Sequence, residues 1–486
     1  MRFIPIASIL TYTILNATTT KKTTIKHKLN CNMTVKYKKT PKNVDNLSDF
    51  INEGIFYGRI RINNFKFDNI DNDKDFFISG IGGSLVYKSA YFNNIGLTAG
   101  LYSSQNLGDK EQGLAADYRS GKDVLNRYEV ANNNNFGITS LAQIYAEYRT
   151  SKNQLKVGRF PLETLLLKSN DTKMIPNTFE GVYLKNRSIS KTSLRTAYIK
   201  KQKLRDHNSF HHVLAYGDDP TDSYAKWTQN DDGAMHRGLT VSKLKNKNIK
   251  DEIFLIEAKN HTVNNLTLNL NYTHLPELLS YFIFDSKYKI NLDDFRIIPA
   301  IRYMQQFDNG AGAIGGSNLK NNTIAYSDIK SLKAALIAAR LDIIKNAASL
   351  RLGYSKTSDN GDFVTPWRGF PTSGYTRAMS QNNWYANTEA YMLRLDYDFS
   401  KADVFSGWRG MMRYVIQDFD DSKAGVQADS RVLTFDIVKR FKALPNFQTK
   451  LRAAFVNGET DTIAKDNSIK KDPSYNEVRL ELNYLF

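Results

Sequence analysis

From about residue 54 to the last residue, apolar and polar side chains alternate along the chain with a period of two. Ile60 and Ile62 alternate with Arg59, Arg61 and Asn63, and Ile95, Leu97, Ala99 and Leu101 alternate with Asn94, Gly96, Thr98 and Gly100. The same pattern recurs from Leu266 to Thr273, from Tyr391 to Phe399 and from Lys450 to Phe455. Successive side chains of a β-strand point to opposite faces, so each run predicts a strand with one apolar and one polar face. A soluble β-sandwich alternates in the same way with its apolar face inward. The pattern therefore gives an all-β chain and leaves open what the apolar face touches.

Three further features bear on that question. Asn/Asp/Gly-rich stretches of uneven length separate many of the strands, at 121–137, 206–233, 308–322 and 359–383. Long polar loops at one end of the strands and short turns at the other are the habit of an outer-membrane barrel. Tyr and Phe fall repeatedly near strand ends, as an aromatic girdle at the two membrane interfaces requires. The chain also closes on an amphipathic strand in which Val478, Leu480, Leu482, Tyr484 and Phe486 share one face and the final residue is aromatic. In a soluble sheet such an edge would invite aggregation. In a bacterial outer-membrane barrel a terminal strand ending in Phe is the mark read for assembly. The expected fold is a transmembrane antiparallel β-barrel with long extracellular loops. Roughly 440 residues at about 10 per strand, plus connections, give about 16 to 20 strands, in an even number. A barrel that wide has a lumen that strand side chains alone do not fill.

Composition narrows the class further. A hydrophobic share of 41% and a mean hydropathy of −0.47 are too polar for a multi-helix membrane protein. No segment approaches the 18 or more continuous apolar residues of a spanning helix. The single cysteine, Cys31, excludes a disulfide framework and any cysteine-based metal site, and seven histidines leave little for a histidine-rich one. The net charge of +18 is unevenly spread. Residues 1–44 carry nine of the 67 basic residues and none of the 49 acidic ones, which leaves 58 against 49, or +9, for the rest. The body is only mildly basic, so nucleic-acid binding is not expected. Phe3 to Leu15 has the length of a secretory apolar region. The expected organisation is a signal peptide over 1–17, a polar basic segment over 18–53 with Cys31 as a free thiol, and the barrel over 54–486.

If the apolar positions face lipid, the alternate positions line the interior. They include Arg59, Arg61, Arg149, Arg195, Arg296, Arg302, Arg340, Arg351, Arg394, Arg409, Arg413, Arg452 and Arg479. Acidic residues of the same parity are fewer: Glu147, Asp342, Asp396, Asp398, Asp436, Glu477 and Glu481. An Arg facing lipid at mid-membrane costs about 2–4 kcal/mol, so interior placement is physically sound. Rows of guanidinium groups make a positive track, and Arg binds carboxylate bidentately. The competing use is bracing, with Arg and Asp or Glu paired across strands. Enzyme chemistry has little material. None of His207, His211, His212, His236, His261 and His274 stands beside a Ser in a recognisable nucleophile context, and there is no glycine-rich phosphate loop. No catalysis and no cofactor are expected.

Several stretches resemble a known family. Gln143–Tyr148, Leu155–Arg159 and Asp171–Val182 are similar to the corresponding parts of OprD-type outer-membrane porins, especially the epsilon-proteobacterial branch. Gly80–Tyr87, Gly100–Gln105, Asn230–Leu239 and Tyr475–Phe486 agree. The leader and Cys31 do not match, and Phe160 stands where the family usually has Gln after Gly-Arg. The resemblance implies an 18-stranded barrel with inward-folded loops and a basic ladder. It also implies uptake of small carboxylate-bearing solutes: amino acids, short peptides and organic acids. Pro176 cannot donate to a central ladder, so Asp171–Phe179 is expected to be a turn or constriction loop, with Asp171, Lys173, Pro176 and Asn177 as its candidates. The expected function is passive, partly selective diffusion across the outer membrane of a Gram-negative bacterium. The expected partners are small hydrophilic solutes, outer-membrane lipid, and the barrel-assembly machinery at the strand ending in Phe486, with the chain a monomer or trimer. The alternative is a plugged surface barrel serving adhesion or structure.

Overall fold

The computed structural model describes residues 26–30, 34–70, 75–107, 124–126, 129–130, 133, 135–219, 235–379 and 381–486. The expected leader and Cys31 lie outside these. Eighteen long strands form one closed antiparallel sheet. They are Ile55–Asn69 (β1), Phe76–Lys88 (β2), Ile95–Asn106 (β3), Ile138–Arg149 (β4), Asn153–Phe160 (β5), Thr178–Asn186 (β6), Thr192–Lys203 (β7), Ile253–Asn260 (β8) and Leu266–Leu275 (β9). The second half comprises Leu279–Tyr288 (β10), Arg296–Asp308 (β11), Ala334–Lys345 (β12), Ala348–Thr357 (β13), Glu389–Tyr397 (β14), Trp408–Asp418 (β15), Ser430–Arg440 (β16), Phe447–Gly458 (β17) and Tyr475–Leu485 (β18). Each long strand pairs with its sequence neighbour, and β18 returns to β1 with Glu481 opposite Asn63 and Tyr484 opposite Ile60.

The outer surface inverts the soluble pattern. Ile60 on β1, Leu97 and Leu101 on β3, Leu270 and Tyr272 on β9, and Leu451 and Phe455 on β17 are exposed. Their neighbours Arg59, Arg61, Asn271 and Thr273 are buried. An apolar face is stable in that position only against hydrocarbon, and the closed sheet leaves no unpaired backbone there. Short turns such as 150–152 and 346–347 lie at the end of the barrel where β1 begins and β18 ends, which is the periplasmic end by the usual habit of such barrels. Long connections, among them 161–177, 204–252, 309–333 and 358–388, lie at the opposite end.

The seam is closed by the last residue. Gly58 and Phe486 exchange backbone hydrogen bonds of 2.9 and 3.1 Å. The Phe486 ring fills the space beside Gly58, so a Cβ there would stand 2.2 Å from ring carbons. Gly58→Leu is therefore expected to displace the ring and lower the folded, heat-modifiable fraction on cold SDS gels several-fold. Adding Phe486→Ala should restore part of it. An undiminished folded fraction in Gly58→Leu would mean that the ring moves aside at no cost.

The lumen is not empty. Leu162, Leu166 and Leu167 of the 161–177 connection, Val213, Leu214 and Leu239 of 204–252, and Phe363, Trp367 and Trp384 of 358–388 form one buried cluster. It packs on the inward residues Ile199, Leu255, Tyr281, Ile283, Met304 and Leu336 of β7–β12. Some of the polar groups beside it are paired. Trp367 Nε1 donates to the Val213 carbonyl at 2.8 Å, and the Gln306 amide donates to the Leu332 and Asp362 carbonyls at 2.6 and 2.9 Å. On the other side Met174 and Ile175 pack with Phe65, Phe67 and Ile78. Folded loops thus fill much of the outer half of the lumen.

Ahead of β1, the segment assigned from sequence to a polar tail has structure of its own. His27–Leu29 pairs with Val35–Tyr37, Asn43–Val44 lies parallel to Tyr91–Phe92, and Leu47–Asn52 forms a short helix (α1) capped by Asn46. Tyr37 packs 4.6 Å from Tyr57, and Arg440 and Gln448 donate to the Leu29 and Asn30 carbonyls at 3.1 and 3.2 Å. The periplasmic mouth is therefore crossed by the chain's own N-terminal segment.

Candidate pore constriction

All thirteen candidate arginines sit on the inward parity of their strands, and the loops that meet them sort them into groups. Arg59 and Arg61 donate to Asp171 at 3.2 and 2.7 Å, so the carboxylate of the 161–177 loop is spent on pinning that loop to β1. Arg302 grips Asp285 at 2.7 Å and also donates to the Pro371 and Ser373 carbonyls at 2.8 and 3.2 Å. Arg340 and Arg351 share Asp342 and both reach the Gly374 carbonyl, at 3.0 and 3.3 Å. Arg413 donates to the Arg377 carbonyl at 3.0 Å. Arg195 pairs with Glu257 at 3.0 Å and donates to the Glu163 carbonyl at 2.8 Å. These residues hold the inward loops. Arg149, Arg296 and Arg409 are exposed near the periplasmic mouth.

A small space lies between the 161–177, 204–252 and 358–388 connections and the β17–β18 wall. It is a cavity of about 140 Å³ whose charged lining is Lys173, Arg205, Arg377, Arg452 and Arg479, with no carboxylate among the lining residues. Each cation is held from behind. Lys173 Nζ stands 4.3 Å over the Phe65 ring, and Arg377 packs 4.4 and 5.0 Å over Phe370 and Trp384. Arg205 donates to Thr172 Oγ1 at 3.0 Å. Arg479 lies 4.4 Å over Phe65 and pairs with Glu477 at 2.6 Å, while Arg452 meets both oxygens of Asp436 at 2.5 Å. Burial, with Arg368 and Arg205 nearby, pushes the Arg377 guanidinium down to about 9, so it still carries its charge at neutral pH.

Below the constriction is a wider vestibule of about 610 Å³. Arg394, Arg409, Arg413, Arg440 and Lys450 line it together with Lys28 of the N-terminal segment; Asp396 and Asp436 are its acids. It shares Arg452 with the constriction, so one basic line runs from the loops to the periplasmic mouth.

Of the loop candidates, Lys173 lines the constriction, Asp171 is turned to β1, and Pro176 and Asn177 lie at the loop's root. The Pro176 carbonyl accepts from Lys203 Nζ at 3.1 Å, and Asn177 N donates to the Ser169 carbonyl at 2.9 Å. Sequence reasoning missed Arg205 and Arg377, which lie on loops where no period marks them. It also missed Lys450, which the parity of Arg452 would have found. His207 and His211 are joined at 2.7 Å and His212 pairs with Asp251 at 2.8 Å, which staples the 204–252 connection. Among the described residues no group of three His, Cys, Asp or Glu is placed to hold a metal ion.

Comparison with known proteins fits this arrangement. A family model described as outer membrane porin, OprD family, matches residues 117–486, about three quarters of the chain. OpdK of Pseudomonas aeruginosa, solved with vanillate, superposes with a TM-score of 0.66 at 16% identity over 90% of this chain and 99% of that one. OccAB3 of Acinetobacter baumannii gives 0.68 at 17% identity over 90% and 100%. OccK2 (OpdF) of Pseudomonas aeruginosa, in complex with glucuronate, gives 0.64 at 15% over 90% and 99%. At these identities the structural likeness is one of fold. No curated protein sequence matches the chain.

Proposed function

The chain belongs to the OprD family of outer membrane porins, non-enzymatic channels for diffusion across the Gram-negative outer membrane, and from that premise we infer that it favours small solutes carrying a carboxylate. The observation that carries this reading is the constriction of about 140 Å³ with five cations and no carboxylate in its lining. A guanidinium fork matches a carboxylate bidentately, and a space this narrow brings any permeant within reach of several donors. Two opposite charges 4 Å apart at an effective dielectric of 20 attract by about 4 kcal/mol. Spreading that attraction over successive rungs lets a solute enter and still leave. Arg205 and Arg377 would receive it, Arg479 and Arg452 pass it on, and Lys450, Arg413, Arg394 and Arg409 lead it to the periplasm. Vanillate and glucuronate, found with OpdK and OccK2, are both carboxylates. The strand ending at Phe486 serves as the assembly signal in the same reading.

The test is single-channel recording of the refolded protein under a salt gradient. Discrete steps, an anion-selective reversal potential and block by glucuronate but not by uncharged glucose are expected. A cation-selective potential, or equal block by both sugars, would sink the carboxylate reading. Silence in every lipid tested would instead favour a plugged barrel with a role in adhesion or structure.

A further inference from the structure

A third lumen cavity, of about 590 Å³, lies off this path. Its basic lining is Lys42, Arg149, Lys152, Lys185 and Arg187, with Tyr91 beside them. None of its lining residues also lines the constriction or the vestibule described above. The N-terminal segment walls it on one side, since Tyr91 N donates to the Lys42 carbonyl at 2.9 Å. Several further rings stand nearby, outside its lining. Tyr37 meets Tyr57 edge to face at 4.6 Å, Lys88 Nζ stands 4.0 Å from the Tyr37 ring, and Lys156 Nζ stands 4.8 Å from the Tyr145 ring. Tyr145 stands two inward steps above Arg149 on β4.

Like the constriction, this cavity gathers cations without an acid in its lining. On the strand walls several crowded cations have an acid between them: Asp171 for Arg59 and Arg61, Asp342 for Arg340 and Arg351, and Asp436 for Lys450 and Arg452. In this cavity no carboxylate is among the lining residues. Glu147, close by, accepts from the Tyr91 hydroxyl at 3.1 Å and the Gln154 amide at 3.0 Å and acts on Arg149, and Glu53 pairs with Lys42 at 3.4 Å, so the acids near the cavity are outnumbered by its five cations. Lys185 is repelled by Arg187, Arg195, Lys156 and Lys259 together. Lys42, Arg149, Lys152 and Arg187 are exposed at the mouth and Lys185 is half-buried, and like charges gathered in this way attract a polyvalent counter-ion more strongly than a monovalent one.

We propose that this cavity binds a compact polyvalent anion of the oligophosphate or tricarboxylate kind, held at the periplasmic mouth rather than conducted. The two guanidinium groups offer forks that match phosphate or carboxylate oxygens, and the two ammonium groups add point charges. The site faces the lumen, so its ligand comes from solution and not from the bilayer. It depends on no property of the constriction.

Calorimetry on the full-length barrel in zwitterionic detergent at low salt tests it, with pyrophosphate and citrate as probes and acetate as the monovalent control. Pyrophosphate or citrate should bind at least a hundredfold more tightly than acetate. Lys185→Ala with Arg187→Ala should weaken that binding tenfold or more without changing heat-modifiability or single-channel conductance. Arg377→Ala, which alters the constriction, should leave the site intact. Absence of polyvalent binding to the wild type overturns the proposal, as does affinity unchanged in the Lys185/Arg187 variant. Affinity lost instead in Arg377→Ala would place the anion in the conduction path and likewise overturn it.

Discussion

Arg302→Ala is expected to at least double the single-channel conductance and to replace steady steps with a flickering current. The guanidinium of Arg302 joins the wall to the 358–388 loop. It grips Asp285 at 2.9 and 2.7 Å, donates to the Pro371 and Ser373 carbonyls, and lies 4.9 Å over the ring of Tyr375, whose hydroxyl also reaches Asp285 at 3.1 Å. A hydrogen bond to a charged group contributes about 1.5–3 kcal/mol, and truncation also leaves Asp285 without this partner. Arg340, Arg351 and Arg413 hold only the next carbonyls of the same segment, so the loop should loosen at one edge while the barrel stays closed. Arg302→Lys keeps the charge and loses the fork, and should fall between wild type and Ala. A wild-type conductance in Arg302→Ala would show that the apolar contacts of Trp367, Phe370 and Trp384 hold the loop by themselves.

The case of Arg302 also marks how far the sequence could be read. Lipid reverses the usual sense of burial, so Ile60 and Ile62 against Arg59 and Arg61 are legible as outward and inward faces from period two alone. That parity places thirteen arginines inside. It cannot separate a rung from a brace, because the difference lies in what the loops bring. Arg302 and Arg340 meet backbone carbonyls of 371–374, and carbonyls leave no trace in composition. Loop filling also blurs the strand pattern itself. In β10, Leu279, Tyr281 and Ile283 face inward and Phe282 outward, so the strand is apolar on both faces because Phe363, Trp367 and their neighbours dock on it. The N-terminal segment reads as a basic tail for a related reason. Its anchors are His27 and Tyr37 on Tyr57, residues whose pairing is fixed only once the barrel mouth exists. Arg205 and Arg377 were illegible on the same ground.

Arg377→Glu should have the second large effect, moving the reversal potential from anion preference to near-neutral or cation preference and weakening glucuronate block at least tenfold. Replacing a cation by an anion changes the local charge by two, and the new carboxylate would lie near Arg205 and Arg368, which already act on the Arg377 site. Pairing with either would withdraw a further cation from the permeant. Arg377→Gln removes one charge without creating a partner and should give roughly half the shift. Arg409→Gln, at an exposed position in the wider vestibule, should move the potential least, since water screens a charge there more effectively. If Arg377→Glu keeps the wild-type potential, selection is made below the constriction by Arg394, Arg409, Arg413 and Lys450. Neutralising Arg409 and Arg413 together would then abolish the preference that Arg377 had been expected to set.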